Sequence, residues 1–130
     1  MRDILIVDDS KAMRNFLRRA LSMTSMDIGG VIEAENGLDA LEKLEKQPVD
    51  VIFCDINMPV MDGAVFVGEL AKSDTRRNIP VIIVSTDSSV ERKTQMRALG
   101  AKGYIAKPFS PEALELEVAR LMWEASDDDE

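Results

Sequence analysis

Histidine is missing from this chain of 130 residues, and cysteine, tyrosine and tryptophan each occur only once. Without histidine the chain cannot build a histidine-ligated metal site, a Ser-His catalytic pair or a phosphohistidine of its own. Any phosphohistidine that takes part in its chemistry must therefore belong to another protein. The single cysteine, Cys54, excludes a disulfide within the chain.

Long apolar runs are also missing. No run approaches the roughly 18 residues that cross a bilayer, and the N-terminal segment MRDILIVDD carries two acids where a signal peptide would continue its apolar stretch. We therefore expect a cytoplasmic protein that does not engage a membrane. The net charge of -8 disfavours nonspecific binding to the phosphates of DNA or RNA, so we also expect no nucleic-acid partner.

Strand-like and helix-like segments alternate five times along the chain, from the apolar run DILIV to the amphipathic segment PEALELEVARLMW. The connections are short, which favours parallel strands joined by right-handed crossovers. The pattern predicts one α/β domain, a doubly wound five-stranded parallel sheet with five helices. We place this domain at residues 1–125 and expect residues 126–130, SDDDE, to form a disordered acidic tail.

Polar side chains follow the predicted strands at their carboxyl ends, where sites form in folds of this type. They are Asp8 and Asp9 after the first strand, Asp55 after the third, Ser85 after the fourth and Lys107 after the fifth. Each residue alone could be an ordinary turn or surface residue, but five of them converge on one edge. Three neighbouring carboxylates repel one another, and a hard divalent cation such as Mg²⁺ relieves that repulsion. A lysine and a hydroxyl beside the metal can bind phosphoryl oxygens.

Four segments carry a resemblance to a known family. VDDS, DINMPVMDG, VST and GYIAKPF, in this order and spacing, resemble the receiver domain of bacterial response regulators, and most closely its single-domain, CheY-like members. The resemblance covers the chain apart from the acidic tail and implies the flavodoxin-like strand order 2-1-3-4-5. It also implies a two-component signalling protein, either a chemotaxis-type or a phosphate-shuttling regulator, that is phosphorylated by a partner histidine kinase in a Mg²⁺-dependent reaction. Such a protein catalyses only its own phosphorylation and dephosphorylation.

The resemblance implies a role for each residue at the predicted edge. Asp55 is the implied phospho-acceptor, with Lys107 and the Ser85 hydroxyl contacting its phosphoryl group. In the implied metal site Asp9 binds Mg²⁺ directly, Asp8 binds it through water, and Asn57 contributes its backbone carbonyl rather than its side chain. The full set of implied Mg²⁺ ligands is Asp8, Asp9, Asp55 and Asn57.

The resemblance further implies how the phosphorylated state is read and how long it lasts. Ser85 and Tyr104 are the implied switch residues: the aromatic ring turns inward when the hydroxyl moves toward the phosphate. Asn57 and Asp87 occupy positions that tune phosphate lifetime in the family. The peptide bond between Lys107 and Pro108 is a candidate for the cis form.

We expect no effector domain, and therefore expect the output to be a protein surface. Residues 89–123 carry six basic and four acidic side chains, a local charge of +2 in a chain of -8. This region is the one that CheY-like proteins present to their targets, and we expect a protein target to bind there. The sequence leaves open the cognate kinase, the output partner, the pathway, and whether the protein is a monomer or a phosphorylation-dependent dimer.

Other protein classes fit these residues less well. A haloacid dehalogenase-type phosphatase needs a second aspartate two residues after the first, where this chain has Ser10 after Asp8 and Asn57 after Asp55. An EF-hand needs glycine within six residues of its first ligand, but Asp55 and Asn57 are followed by Pro59 and Val60. A nucleotide site needs a glycine-rich loop after the first strand, and the segment DDSKA contains no glycine. A noncatalytic receiver-like scaffold that only binds partners remains the alternative, although the chain keeps every site residue.

Overall fold

A computed structural model describes the backbone of residues 1–128 and the side chains of residues 1–121. In this part of the chain five strands alternate with five helices. The elements in chain order are β1 (Arg2–Val7), α1 (Lys11–Ser22), β2 (Ile28–Ala34), α2 (Gly37–Lys46), β3 (Val51–Cys54), α3 (Gly63–Ala71), β4 (Val81–Ser85), α4 (Val90–Leu99), β5 (Gly103–Ala106) and α5 (Pro111–Asp128).

The strands form one parallel sheet in the order β2-β1-β3-β4-β5, so the predicted fold class and strand order are confirmed. Leu5 of β1 pairs with Ile32 of β2 on one side and with Ile52 of β3 on the other. The chain therefore reverses its direction of winding at β1. In a sheet of this kind, the crevice outside the carboxyl ends of β1 and β3 is the preferred place for a site.

Side chains that alternate along the strands supply two apolar cores, one on each face of the sheet. Helices α1 and α5 cover one face, where Phe53 packs with Leu17 and Leu114. Helices α2, α3 and α4 cover the other face, where Ile52 packs with Phe66. Because both faces of the sheet are buried, the inner strands are apolar at almost every position rather than at alternate ones.

The helices begin at the edge of the sheet where the strands end, and each starts at a residue whose side chain accepts a hydrogen bond from the first turn. A cap of this type satisfies one backbone N–H that the helix itself leaves unpaired. The caps therefore fix the loops that lead from the strands into the helices. The capping residues are Ser10, Asn36, Asp62, Ser89 and Ser110.

The described part of α5 continues past residue 125, where the sequence placed the end of the domain. The helix extends to Asp128, three residues into the segment expected to be a tail. Residues 129–130 lie outside the described residues, and the domain boundary stays a prediction. Among residues 1–128, none of the helices combines the length and apolar character needed to cross a bilayer.

Candidate functional site

Three carboxylates lie together at the carboxyl ends of β1 and β3. Asp8 follows Val7 of β1 and Asp55 follows Cys54 of β3, and these two strand residues are paired in the sheet. One oxygen from each of Asp8, Asp9 and Asp55 lies within 4.8 Å of the other two. Asp8 is buried with 2% of its surface exposed, Asp55 is half-buried and Asp9 is exposed. The structure thus brings together the three acids that the sequence placed at this edge.

Lys107 is the cation that faces this cluster. Its Nζ atom lies 3.4 Å from Oδ2 of Asp8 and 3.4 Å from Oδ2 of Asp55, and its side chain is only 13% exposed. The residue follows β5 directly, and its peptide bond to Pro108 is cis, as the resemblance implied. One ammonium therefore serves two carboxylates, with Asp9 as a third negative charge beside them.

Burial has the largest effect on the protonation of Asp8. Burial raises the pKa of Asp8 above its ordinary value, and the nearby Asp55 carboxylate raises it further. The Ser10 N–H, which donates to Oδ1 of Asp8 at 2.9 Å, and Lys107 act in the opposite direction without cancelling the rise. All the donor atoms here are oxygens at short separation, and such a set fits a hard divalent cation of the Mg²⁺ type.

The loop after β3 is packed tightly against the backbone of Asp55. The Gly63 N–H donates to the Ile56 carbonyl at 2.7 Å, and a Cβ atom at Gly63 would lie 2.3 Å from the Asp55 carbonyl oxygen. Only glycine allows this approach. The start of α3 therefore rests directly on the peptide that carries Asp55, whose Oδ1 accepts a 2.7 Å hydrogen bond from the Ile56 N–H.

The same loop contains a sharp turn at Val60. This valine has φ 66° and is 77% exposed, and the Met61 N–H donates to the Pro59 carbonyl at 2.7 Å across it. A positive φ is unfavourable for a β-branched residue. Asn57 lies exposed earlier in the loop. Its roles as carbonyl ligand and in phosphate lifetime stay predictions.

Ser85 ends β4, and it is connected to Tyr104 of β5 through one intervening residue. The Ser85 hydroxyl is buried and accepts a 3.1 Å hydrogen bond from the Asp87 N–H. The Tyr104 hydroxyl donates to the Asp87 carbonyl, and Nζ of Lys93 lies 5.8 Å from the centre of the Tyr104 ring. The two implied switch residues are therefore linked through the β4–α4 loop.

The carboxylate of Asp87 is held toward α4. Its Oδ1 accepts a 2.9 Å hydrogen bond from the Ser89 N–H, and its Oδ2 lies 3.5 Å from Nε of Arg92. The hydrogen bonds from Ser89, with the Arg92 guanidinium beside them, lower the pKa of Asp87. Sequence reasoning counted Arg92 only as part of a basic surface and missed this pairing.

A second arginine that the sequence pattern did not indicate donates a hydrogen bond to the backbone of the carboxylate site. Arg14 of α1 donates from Nη1 to the Asp8 carbonyl at 2.7 Å and from Nε to Oε1 of Glu33 at 2.8 Å. Arg14 and Glu33 are 19 residues apart, on a helix and on the edge strand. No motif in the sequence marks them as partners, because only the position of β2 beside β1 brings them together.

The surface predicted for a protein target lies around α4, β5 and α5. On α5, Leu114, Val118 and Leu121 are buried in the core, whereas Leu116 is 73% exposed. Arg97 and Lys102 are also exposed on this side of the molecule. The side chains of residues 122 and 123 lie outside the described residues.

The response regulator receiver domain matches residues 4–119 of this sequence. The match covers most of the chain, and the five-stranded fold with its acidic edge agrees with it. The chain therefore belongs to the response regulator receiver family.

Chemotaxis proteins are among the relatives that the chain resembles. It is 34% identical over 112 residues to CheY1 of Helicobacter pylori, covering 85% of this chain and 89% of that protein. It is also 34% identical to the CheY homologue of Campylobacter jejuni, with 85% of each chain covered. The solved structure of CheY4 from Vibrio cholerae superposes with a TM-score of 0.82 at 36% identity, covering 92% of this chain and 98% of that one.

Proposed function

We propose that this chain is the phospho-accepting receiver of a two-component signalling system, with Asp55 accepting the phosphoryl group from a partner histidine kinase. The observation that carries the proposal is the convergence of Asp8, Asp9 and Asp55 at one strand edge, with Lys107 3.4 Å from two of them. A carboxylate placed between a cation site and an ammonium is suited to attack a phosphoryl group.

The donor set supports a Mg²⁺ requirement. Asp8, Asp9 and Asp55 would hold the ion with the backbone carbonyl of Asn57, which is exposed in the loop beside them. When bound, Mg²⁺ would neutralise charge on the carboxylates and on the phosphoryl oxygens. Lys107 alone supplies one positive charge against three negative ones, so a divalent ion would bring the cluster close to neutrality.

Each residue of the site then has a separate role in phosphoryl transfer. An oxygen of the Asp55 carboxylate forms a bond to phosphorus as the phosphorus–nitrogen bond of the donor phosphohistidine breaks and its imidazole leaves. Lys107 donates hydrogen bonds to the transferred oxygens, and the Ser85 hydroxyl would turn toward them after transfer. Because Ser85 and Tyr104 share Asp87 as a neighbour, this movement has a route to the surface at residues 89–123.

The relatives support a chemotaxis-type output for that surface. Both the Helicobacter pylori and the Campylobacter jejuni proteins are named as chemotaxis proteins. We therefore infer that the phosphorylated chain signals by binding a protein target. A noncatalytic scaffold is the second candidate, since a surface at residues 89–123 could bind partners without phosphorylation.

Asp55→Asn should abolish phosphorylation, because the amide oxygen is a poor nucleophile for phosphorus. Acetyl phosphate with Mg²⁺ should add the mass of one phosphoryl group to the wild type, and chelation of the metal should prevent the addition. Intact-protein mass spectrometry measures both. Asp74→Asn, a change at a 96% exposed side chain far along the chain from the site, serves as the matched control and should be labelled like the wild type.

The alternatives give different results in this experiment. Labelling of Asp55→Asn at the wild-type level would place the acceptor elsewhere. A wild-type protein that gains no phosphoryl group from acetyl phosphate or from any histidine kinase would favour the scaffold.

A further inference from the structure

Arg14 connects the loop of the acidic site to the edge strand of the sheet. Its guanidinium donates from Nη1 to the Asp8 carbonyl at 2.7 Å and from Nε to Oε1 of Glu33 at 2.8 Å. Only 15% of the Arg14 side chain is exposed. Both bonds are short and shielded from water, so they hold the guanidinium in one orientation.

Glu33 is itself held in place by other elements. Arg18, one turn after Arg14 on α1, donates from Nη2 to Oε2 of Glu33 at 2.9 Å, and Lys43 of α2 donates to the Glu33 carbonyl. Burial raises the pKa of Glu33, but the hydrogen bonds and charges of the two arginines outweigh it and leave that pKa below its ordinary value. Glu33 is therefore an ionised anchor, fixed from two helices, that orients the Arg14 guanidinium.

The hydrogen bond from Arg14 ends on the carbonyl of Asp8, the residue whose N–H still bonds to the neighbouring strand β2. The Asp8 N–H donates to the Ala34 carbonyl at 3.0 Å, and the Asp8 carboxylate accepts from the Ser10 N–H at 2.9 Å. The Asp8 carbonyl belongs to the peptide that leads to Asp9. The orientation of that peptide sets the directions of two of the three acidic side chains.

We propose that Arg14 is a positioning residue for the divalent-cation site, which it serves by fixing the peptide between Asp8 and Asp9. The inference rests on the proposed Mg²⁺ function and adds to it a residue that touches neither metal nor phosphate. Glu33 acts one step further back, by orienting Arg14. A lysine at position 14 could not replace the arginine fully, because one ammonium lacks the planar fork that reaches both acceptors.

Isothermal titration of the folded, unphosphorylated protein with MgCl₂ tests this role. Arg14→Met keeps the apolar part of the side chain and removes both hydrogen bonds. The Kd for Mg²⁺ should rise at least about tenfold, the usual effect of losing a residue that orients metal ligands. Arg19→Met is the matched control: it removes an exposed arginine from the same helix, α1. Its Kd should stay within about twofold of the wild type.

Two further measurements separate positioning from general damage to the fold. Glu33→Ala frees the Arg14 guanidinium, so it should raise the Kd in the same direction, and the double variant should bind no more weakly than Arg14→Met. Phosphorylation by acetyl phosphate should be slow in Arg14→Met at limiting Mg²⁺ and return to within about twofold of the wild-type rate at saturating Mg²⁺. A fold that is merely damaged would stay slow at both concentrations.

An unchanged Kd in Arg14→Met and Glu33→Ala, or an equal rise in Arg14→Met and Arg19→Met, would overturn the inference. Asp9→Asn distinguishes that result from a failure of the proposed metal site. If Asp9→Asn also binds Mg²⁺ like the wild type, the ion is not held by this cluster and both proposals fail. If only Asp9→Asn weakens binding, the metal site stands and the role of Arg14 falls.

Discussion

At the scale of single residues, Val60 has a backbone conformation that its side chain disfavours. It is a β-branched residue with φ 66°, and 77% of it is exposed, so it gains little from burial. A left-handed conformation costs an L-residue roughly 1–2 kcal/mol. The site loop keeps this turn because two N–H groups after Val60 donate to two carbonyls before it. Met61 donates to Pro59, and Gly63 donates to Ile56.

Val60→Gly should therefore stabilise the protein. Relief of the unfavourable φ exceeds the extra freedom that glycine gives the unfolded chain, leaving a net gain of roughly 0.5–1 kcal/mol. The free energy of unfolding from urea titration measures the gain.

Val90→Gly is the control for this change. Val90 is also a valine, 75% exposed, but it lies in the first turn of α4, where glycine is unfavourable. It should lose stability while Val60→Gly gains it. A loss at both positions would show that Val60 is not strained.

At the scale of elements, the β4–α4 loop joins β4, β5 and α4 through Asp87. Its N–H donates to the Ser85 hydroxyl, its carbonyl accepts from the Tyr104 hydroxyl, and its carboxylate binds the Ser89 N–H and lies 3.5 Å from Arg92. A movement of the hydroxyl at the end of β4 therefore changes what the first turn of α4 is bonded to.

Ser85→Ala should uncouple the site from α4, because alanine can bond neither a phosphoryl oxygen nor the Asp87 N–H. With beryllofluoride and Mg²⁺ as a phosphoryl mimic, amide NMR signals near Tyr104 and along α4 should shift in the wild type and shift far less in the variant. Phosphorylation of Asp55 should persist, since its nucleophile is intact.

Ser88→Ala, an exposed hydroxyl in the same loop, is the control and should respond like the wild type. Equal shifts in Ser85→Ala and the wild type would remove Ser85 from the relay between the site and the surface.

At the scale of the whole molecule, folding brings three acidic side chains together at one edge of the sheet. The chain has a net charge of -8, and folding brings Asp8, Asp9 and Asp55 within 4.8 Å of one another. Unfolding separates them, so a cation that binds the assembled cluster favours the folded state by mass action.

Mg²⁺ should raise the melting temperature, and EDTA should reverse the rise. At ten times its Kd the ion contributes about 1.4 kcal/mol, which corresponds to roughly 3–6 °C for a domain of this size. Differential scanning calorimetry measures the shift.

Asp9→Asn should blunt this increase and should itself melt no lower than the wild type without metal, since it removes one of three repelling charges. An increase of the same size in Asp9→Asn and the wild type would place the ion outside the cluster.

The sequence allowed the fold and the strand edge to be predicted because both depend on local patterns. The runs at residues 4–7, 51–54 and 81–84 are apolar throughout, as strands buried on both faces must be. The acids that follow the first two runs lie at one edge in any parallel sheet. The contacts of Arg14 with Glu33 and the positive φ of Val60 were not predictable. The contacts of Arg14 depend on which strand lies beside β1. The positive φ of Val60 is imposed by hydrogen bonds that span a residue whose side chain disfavours it.

The thiol of Cys54 has a practical consequence for the study of this molecule in solution. It is the only cysteine in the chain, it is 1% exposed, and burial, with the nearby carboxylates, raises its pKa well above the ordinary value. Maleimide and other alkylating reagents attack the exposed thiolate, so they leave this side chain unmodified in the folded state. A cysteine introduced on α4 can thus carry a fluorophore or spin label without prior replacement of Cys54. The residue that precedes Asp55 then stays unchanged.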